Sequence, residues 1–431
     1  MRIRQTASSP MRQSLRWCLS VTLLIMPLLL NACTPSVQTL SVQVPEKRSL
    51  IRFVASEYSS ETRPLLEKLV KQFTAMHPDI DIELQVANWD ILDGIYTAMI
   101  SQGQPPDLLN TNVYAHFAKD GLLNDFNELL SPELKAKFYP NLLGMDEMDE
   151  HQYALPYVTT NRNLYYNREL FQSAGIASPP ATWEELRKDA LLIKKTGLAH
   201  GFGVDLTDNE IQAYLSYFFF GAGGGWIKDG KWTINSPENI AGLSFMKELF
   251  DQGLTDPEPT ITTRDEKQRI LGDGKLAMMI SGNYFSSVMP REFPKLKWGV
   301  GPIPVKKGVP AISFGVQDVL VSFKTDHTDK KALSAFIDFL YQDPVYEEMV
   351  LKEGFVPVTR PIGDKLSRTD NVMKRNLDAM QKAKFYPIQQ SAWQAVMDTA
   401  RKMGDAVLYD HLLPEAALDQ LQKFAEDRSG Q

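Results

Sequence analysis

Leu50-Ile51-Arg52-Phe53-Val54-Ala55 is apolar and β-favouring and predicts a buried strand. A loop over 56–62 follows, and Pro64 opens a helix at a tolerated position, with Leu65, Leu66, Leu69, Val70 and Phe73 on one face. Ile80, Ile82, Leu84 and Val86 then alternate with Asp79, Asp81, Glu83 and Gln85, the period-two signature of a half-solvated strand. A helix across Ile91, Ile95 and Met99 leads through Gly103-Gln104-Pro105-Pro106 to a strand at Asp107–Asn110. Strand, helix, strand, helix, strand predicts a parallel α/β sheet. In such sheets ligands sit in the loops beyond the strands' C-terminal ends.

The same grammar continues. Thr182-Trp183-Glu184-Glu185 is a capping-box start with Gly197 as the stop, and Ser236-Pro237 caps a helix carrying Ile240, Leu243, Met246, Leu249 and Phe250. Lys297–Val300 and Val319–Ser322 read as strands, Thr328–Gln342 as a helix, and 365–427 as wholly helical.

The first residues read as an export signal rather than as part of the fold. Arg2, Arg4, Arg12 and Arg16 precede an apolar run from Trp17 to Leu30, shorter than the ~20 residues a membrane span needs. The run ends in Leu30-Asn31-Ala32-Cys33, which resembles a bacterial lipobox, so Cys33 is the expected lipidation site and new N-terminus. Residues 1–32 are then the lipoprotein signal peptide and 33–48 a polar tether. Of the two cysteines, Cys18 is removed and Cys33 acylated, which excludes catalytic thiols, disulfides and cysteine metal sites.

Removal of 1–32 leaves 42 basic and 53 acidic residues, a net of −11, without a Lys/Arg run. Nucleic acid is therefore excluded as a partner, since phosphate neutralisation dominates that affinity. About 400 mature residues exceed one typical core, and two lobes are expected.

Tyr153-Ala154-Leu155-Pro156, Leu164-Tyr165-Tyr166-Asn167, Leu170-Phe171, Ala174-Gly175, Pro179-Pro180 and Thr182-Trp183-Glu184-Glu185-Leu186 carry a family likeness. So do Gly121-Leu122-Leu123, the run 272–279, Gly301-Pro302-Ile303-Pro304 and Gly354-Phe355-Val356-Pro357. Together they resemble family 1 of the extracellular solute-binding proteins, which serve sugar importers of the ATP-binding-cassette (ABC) class. The resemblance implies an α/β, two-lobed, periplasmic-binding-protein-like clamp, each lobe a central sheet flanked by helices, with a helical C-terminal region. By analogy the N-lobe comprises 48–157 plus 313–356 and the C-lobe 158–312 plus 357–431. It also implies an exported monomer with no cofactor, facing the periplasm or cell exterior on its lipid anchor, whose partners are a small carbohydrate and the transmembrane permease subunits.

A sugar offers hydroxyls and flat apolar ring faces, so its site needs aromatic platforms and side chains that donate or accept in a plane. On strand-exit loops, Glu57 and Tyr58, Trp89 and Asp90, and Asn110 and Asn112 are the first-lobe candidates. Each has a bland competitor: a solvated loop for Glu57-Tyr58, a helix staple for Trp89, and a turn or cap for the asparagines. Tyr157, Thr160 and Asn161 lie at the implied first crossover. Trp226 follows a glycine run that permits close backbone approach, although a half-buried turn tryptophan fits it equally. Asn283 and Tyr284 match a family position that often carries an aromatic contact. Phe314 and Gln317 sit at the return crossover, and Arg360 after the last one, where a structural ion pair competes with a ligand role.

Enzyme chemistry finds little support. No phosphate-binding Gly-Lys-Ser/Thr loop, dinucleotide fingerprint or Gly-x-Ser-x-Gly elbow occurs, and the six histidines lack metal-ligand spacing. A glycoside-cleaving pair of carboxylates stays open, since any two can meet in space, as does a lipoprotein scaffold that binds another protein. Loops rich in Asn, Tyr and Trp with a single Arg favour a neutral di- or oligosaccharide or sugar–polyol glycoside over a glycerol phosphate, which wants more than one cation.

Overall fold

The structure, a computed structural model, describes residues 48–207 and 210–430. The signal segment, Cys33 and nearly all of the tether lie outside the described residues.

Strands β1 (Ser49–Ser56), β2 (Ile80–Ala87) and β3 (Leu108–Thr111) alternate with helices α1 (Thr62–Met76) and α2 (Trp89–Ser101). β1 pairs in parallel with both β2 and β3, as the alternation predicts. Because successive side chains point to opposite faces, Phe53 and Ala55 enter one core with α1 and the helix Lys330–Leu340. Val54 enters another core with Leu92 and Tyr96 of α2.

Two further strands join the lobes. The long strand Ala154–Asn167 pairs through Ala154–Asn161 with the return strand Gly315–Ser322, which also pairs with β3. Its second half, Arg162–Asn167, pairs with Leu276–Gly282 and Trp298–Gly301, and Leu276–Gly282 pairs in parallel with His200–Gly203. One 14-residue strand thus serves both lobes. The register between Val158↔Asp318 and Pro156↔Val319 skips Tyr157, a bulge that re-aims the side chains on either side of it.

Local signals act where they were read. Thr182 and Glu185 form a complete capping box, and Gly197 ends that helix at φ 69°. Ser236 caps the helix Pro237–Asp251. Two expectations change. The tail is not wholly helical: Arg360–Thr369, Asn371–Met380, Trp393–Leu408 and Pro414–Ser429 are helices, separated over 381–392 by a non-helical stretch containing Pro387. Nor does everything after 357 lie with the second lobe. The Arg360 amide donates to the Lys137 carbonyl at 2.7 Å, and Lys365 pairs with Glu347 at 2.6 Å. Ile362 and Leu366 bury in the core that holds Phe138 and Tyr346, so an amphipathic stripe fixes this segment to first-lobe elements. The last two helices pack on Ile211–Gly221 and Pro237–Asp251 of the second lobe.

Candidate functional site

The loop after β1 carries Tyr58, the start of α2 carries Trp89 and Asp93, and the loop after β3 carries Asn112. All four line one cleft. Thr160 and Arg162 on the long strand and Val316 and Asp318 on the return strand form its floor. The opposite wall comes from Glu210, Gln212, Arg264, Tyr284, Tyr386 and, on the helix Trp393–Leu408, Gln394, Met397 and Arg401. Both lobes and both crossing strands therefore contribute to one concavity. First-lobe residues reach it because β1 and β3 end there, as parallel sheets dictate.

Aromatic faces alternate with charge. Tyr58 stands edge-on to Trp89 at 5.9 Å and to Phe355 at 4.8 Å. Tyr386 stacks on Trp393 at 5.7 Å, and the Arg264 guanidinium lies 5.7 Å from the centre of the Tyr284 ring. Burial, with Asp318 adding, pushes the Tyr58 hydroxyl well above its ordinary value, and burial also raises Tyr284; both remain neutral phenols that donate and accept. Where the opposite wall meets the floor, Glu210 Oε1 accepts from Arg264 Nη1 at 2.6 Å and Arg162 Nη2 at 3.4 Å. Burial pushes the Asp318 carboxyl up to about 7, with its hydrogen bond to Tyr58 the largest opposing influence.

The remaining candidates lie elsewhere. Glu57 pairs with Arg63 at 3.6 Å, and Asp90 is exposed in the first turn of α2. Asn110 is a buried cross-strand link: its Oδ1 accepts from the Ser56 amide and the Tyr58 hydroxyl, and its Nδ2 donates to the Val319 carbonyl. It thus steadies Tyr58 from behind. Tyr157 is buried on the far side of Tyr58, against Glu353 and Met349. Asn161 and Asn283 bind each other through backbone and side chain. Phe314 supports Tyr386 edge-on at 5.1 Å, and Gln317 donates to the buried Asp146 carboxylate at 2.9 Å. Trp226 is 2% exposed, donates to Ser216 at 2.7 Å and packs on Trp393; it is core, not platform. Arg360 donates to the Ala136 carbonyl, a structural hydrogen bond at an exposed position.

Sequence reading missed Arg162, Glu210, Arg264, Asp318 and Arg401. Two had a signal: Arg162 and Asp318 are charges inside otherwise strand-like runs, and burying a charge needs a partner or a purpose. Arg264 sits in the polar run Thr263-Arg264-Asp265-Glu266-Lys267, which reads as a solvated helix start. The premise of a single arginine also fails, for the cleft holds three. Among the described residues no group of three His, Cys, Asp or Glu is placed to hold a metal ion, and no helix is long and apolar enough to cross a membrane.

Such a two-walled cleft over paired crossing strands is the architecture of a solute-binding protein. The chain belongs to the bacterial extracellular solute-binding proteins, whose family profile matches residues 58–347. It is 30% identical over 373 residues to a Brucella abortus protein whose name specifies binding but no ligand, covering 85% of this chain and 90% of that one. It is 26% identical over 378 residues to the maltotriose-binding protein of Pyrococcus abyssi, covering 83% and 78%. Among solved structures, maltose-bound MalE3 of T. maritima superposes with a TM-score of 0.78 at 22% identity, over 88% of this chain and all of that one. That likeness establishes the two-lobed fold.

Proposed function

We propose that this protein is the substrate-capturing lipoprotein of an ABC carbohydrate importer. It takes a small glycoside between its lobes, carries it unchanged and delivers it to the permease, while acyl chains on Cys33 hold it at the membrane. The observation that supports this best is the cleft itself: aromatic faces from both lobes (Tyr58, Trp89, Tyr284 and Tyr386) interleaved with planar charged groups on the crossing strands. Aromatic rings cover the apolar faces of a sugar, and carboxylates and guanidinium groups take its hydroxyls. A ligand touching both walls favours the state in which the walls are together, because only there are both half-sites satisfied. A second reading, a glycerol phosphate, draws on the three arginines in the cleft.

The test combines thermal unfolding, small-angle scattering and recovery of the ligand, across neutral saccharides and sn-glycerol 3-phosphate. A true ligand at 100 times its Kd stabilises the protein by ~2.7 kcal/mol, reduces the radius of gyration and is recovered intact. Cleavage of a saccharide would turn the reading toward a glycoside-acting enzyme, and absence of any shift would reject it.

A further inference from the structure

Where the floor of the cleft meets the opposite wall lies an incompletely satisfied ion-paired cluster. The side chains of Arg162 and Glu210 are only 5% and 2% exposed. Both arginines converge on one carboxylate oxygen, Glu210 Oε1. The other oxygen, Oε2, is buried with no hydrogen-bond partner among the described residues, and so are Nε and Nη1 of Arg162. Buried polar groups are nearly always paired, and a charged group left without partners is more costly than a neutral one. Both residues line the cavity. Arg264, by contrast, already has partners: it donates to Glu210 and to Asp265 and lies over Tyr284.

We propose that Arg162 and Glu210 are the specificity-determining pair of this cleft, reading two neighbouring hydroxyls of an uncharged carbohydrate and rejecting phosphate esters. The inference rests on the carbohydrate-binding reading above and names the ligand class within it. A hydroxyl both donates and accepts. One hydroxyl donates to Glu210 Oε2 while it or its neighbour accepts from Nε or Nη1 of Arg162, which satisfies the stranded atoms at once. A phosphate ester offers acceptors and negative charge, and so places its oxygens against the Glu210 carboxylate. Among the described residues the cleft holds no surplus cation, since its lining sets Arg162, Arg264 and Arg401 against Asp93, Glu210 and Asp318. Neutrality is thus selected by a balanced set of charges, not by their absence.

Isothermal titration at pH 7.5 of the wild type, Glu210→Gln and Arg162→Lys tests this against maltose, maltotriose, trehalose, sucrose, glucosylglycerol and sn-glycerol 3-phosphate. The wild type should bind at least one neutral probe about 100-fold more tightly than the phosphate ester. Glu210→Gln should weaken that neutral probe about 30-fold and tighten the phosphate ester, a pair of opposite signs that a general folding defect cannot produce. Arg162→Lys keeps the charge but lacks the fork, and should cost the neutral probe about tenfold or more with the melting transition retained. Tightest wild-type binding of the phosphate ester would overturn the inference and leave solute binding standing. Unchanged neutral affinity in either variant would also overturn it. A folded wild type that binds none of the probes would reject the carbohydrate reading itself, and the inference with it.

Discussion

Asp318 shows how one side chain ties the binding site to stability. Its folded carboxyl titrates near 7 because burial outweighs the Tyr58 hydrogen bond, whereas an unfolded aspartate titrates near ~3.9. Between those values the folded chain holds a proton that the unfolded chain has released. The group's contribution is therefore most favourable below about pH 4, falls as pH rises, and levels off above about pH 7. Asp318→Asn should flatten this part of the profile and stabilise the protein at pH 7.5 by up to roughly 4 kcal/mol relative to wild type, about three pKa units at ~1.4 kcal/mol each. Melting curves of both proteins from pH 4.5 to 8 measure it, and parallel profiles would contradict it. Asp205, also raised to about 7 by burial, keeps its own slope in both proteins, so the difference between them isolates Asp318. Tyr58 was legible as a candidate because it follows a strand end that periodicity located, whereas Tyr284 became one only through the family resemblance; both line the cleft. Trp226 deceived because a tryptophan beside glycines looks exposed, while its indole is turned inward to Ser216.

At the scale of elements, the crossing strands are held by an asparagine bracket. The Asn283 side chain accepts from the Asn161 amide at 2.8 Å and donates to the Gly354 carbonyl at 2.7 Å, and its own amide donates to the Asn161 carbonyl. It joins the long strand, the end of Leu276–Gly282 and the turn before Phe355. Gly354 adopts φ 77°, a conformation glycine takes readily. Asn283 was expected to touch ligand; its hydrogen-bonding capacity instead goes to the crossover. Asn283→Ala strands the Asn161 amide and the Gly354 carbonyl, and should lower unfolding free energy by about 2–3 kcal/mol. It should also weaken ligand binding, because the adjacent Tyr284 loses its fixed position. Urea unfolding and titration of the same variant check both; loss of binding at unchanged stability would mean direct contact after all. The helix Ile211–Gly221 shows a different limit. Every one of its residues is buried, so no polar face marks its period and the hydrophobic pattern is mute.

For the whole molecule, the proposed lipid anchor makes a separable prediction. Cys33→Ser should release the mature protein from membranes or stall its processing, with ligand affinity unchanged, since the cleft is built wholly from residues after 57. Fractionation of expressing cells decides this. Continued membrane retention with normal cleavage would remove the lipobox from the account.

The sequence by itself determined much of the alternation of strands and helices and their caps, because periodicity and capping are written within a dozen residues of one another. Its ordered motifs from Gly121-Leu122-Leu123 to Gly354-Phe355-Val356-Pro357 carried the resemblance to the family. The sequence also marked Tyr58, Trp89 and Asn112, each beside a strand end it could locate, and Tyr284 through the family resemblance. Only the tertiary structure decided that Arg162, Glu210, Arg264 and Asp318 meet. They come from four separate segments, and whether a charge is solvated or buried depends on what a distant part of the chain lays over it. The same reason separates Asn110, which looked like a ligand contact, from Asp318, whose only signal was a charge inside a strand-like run. Burial is a property of the assembled lobes, and with it goes the chemistry of the site.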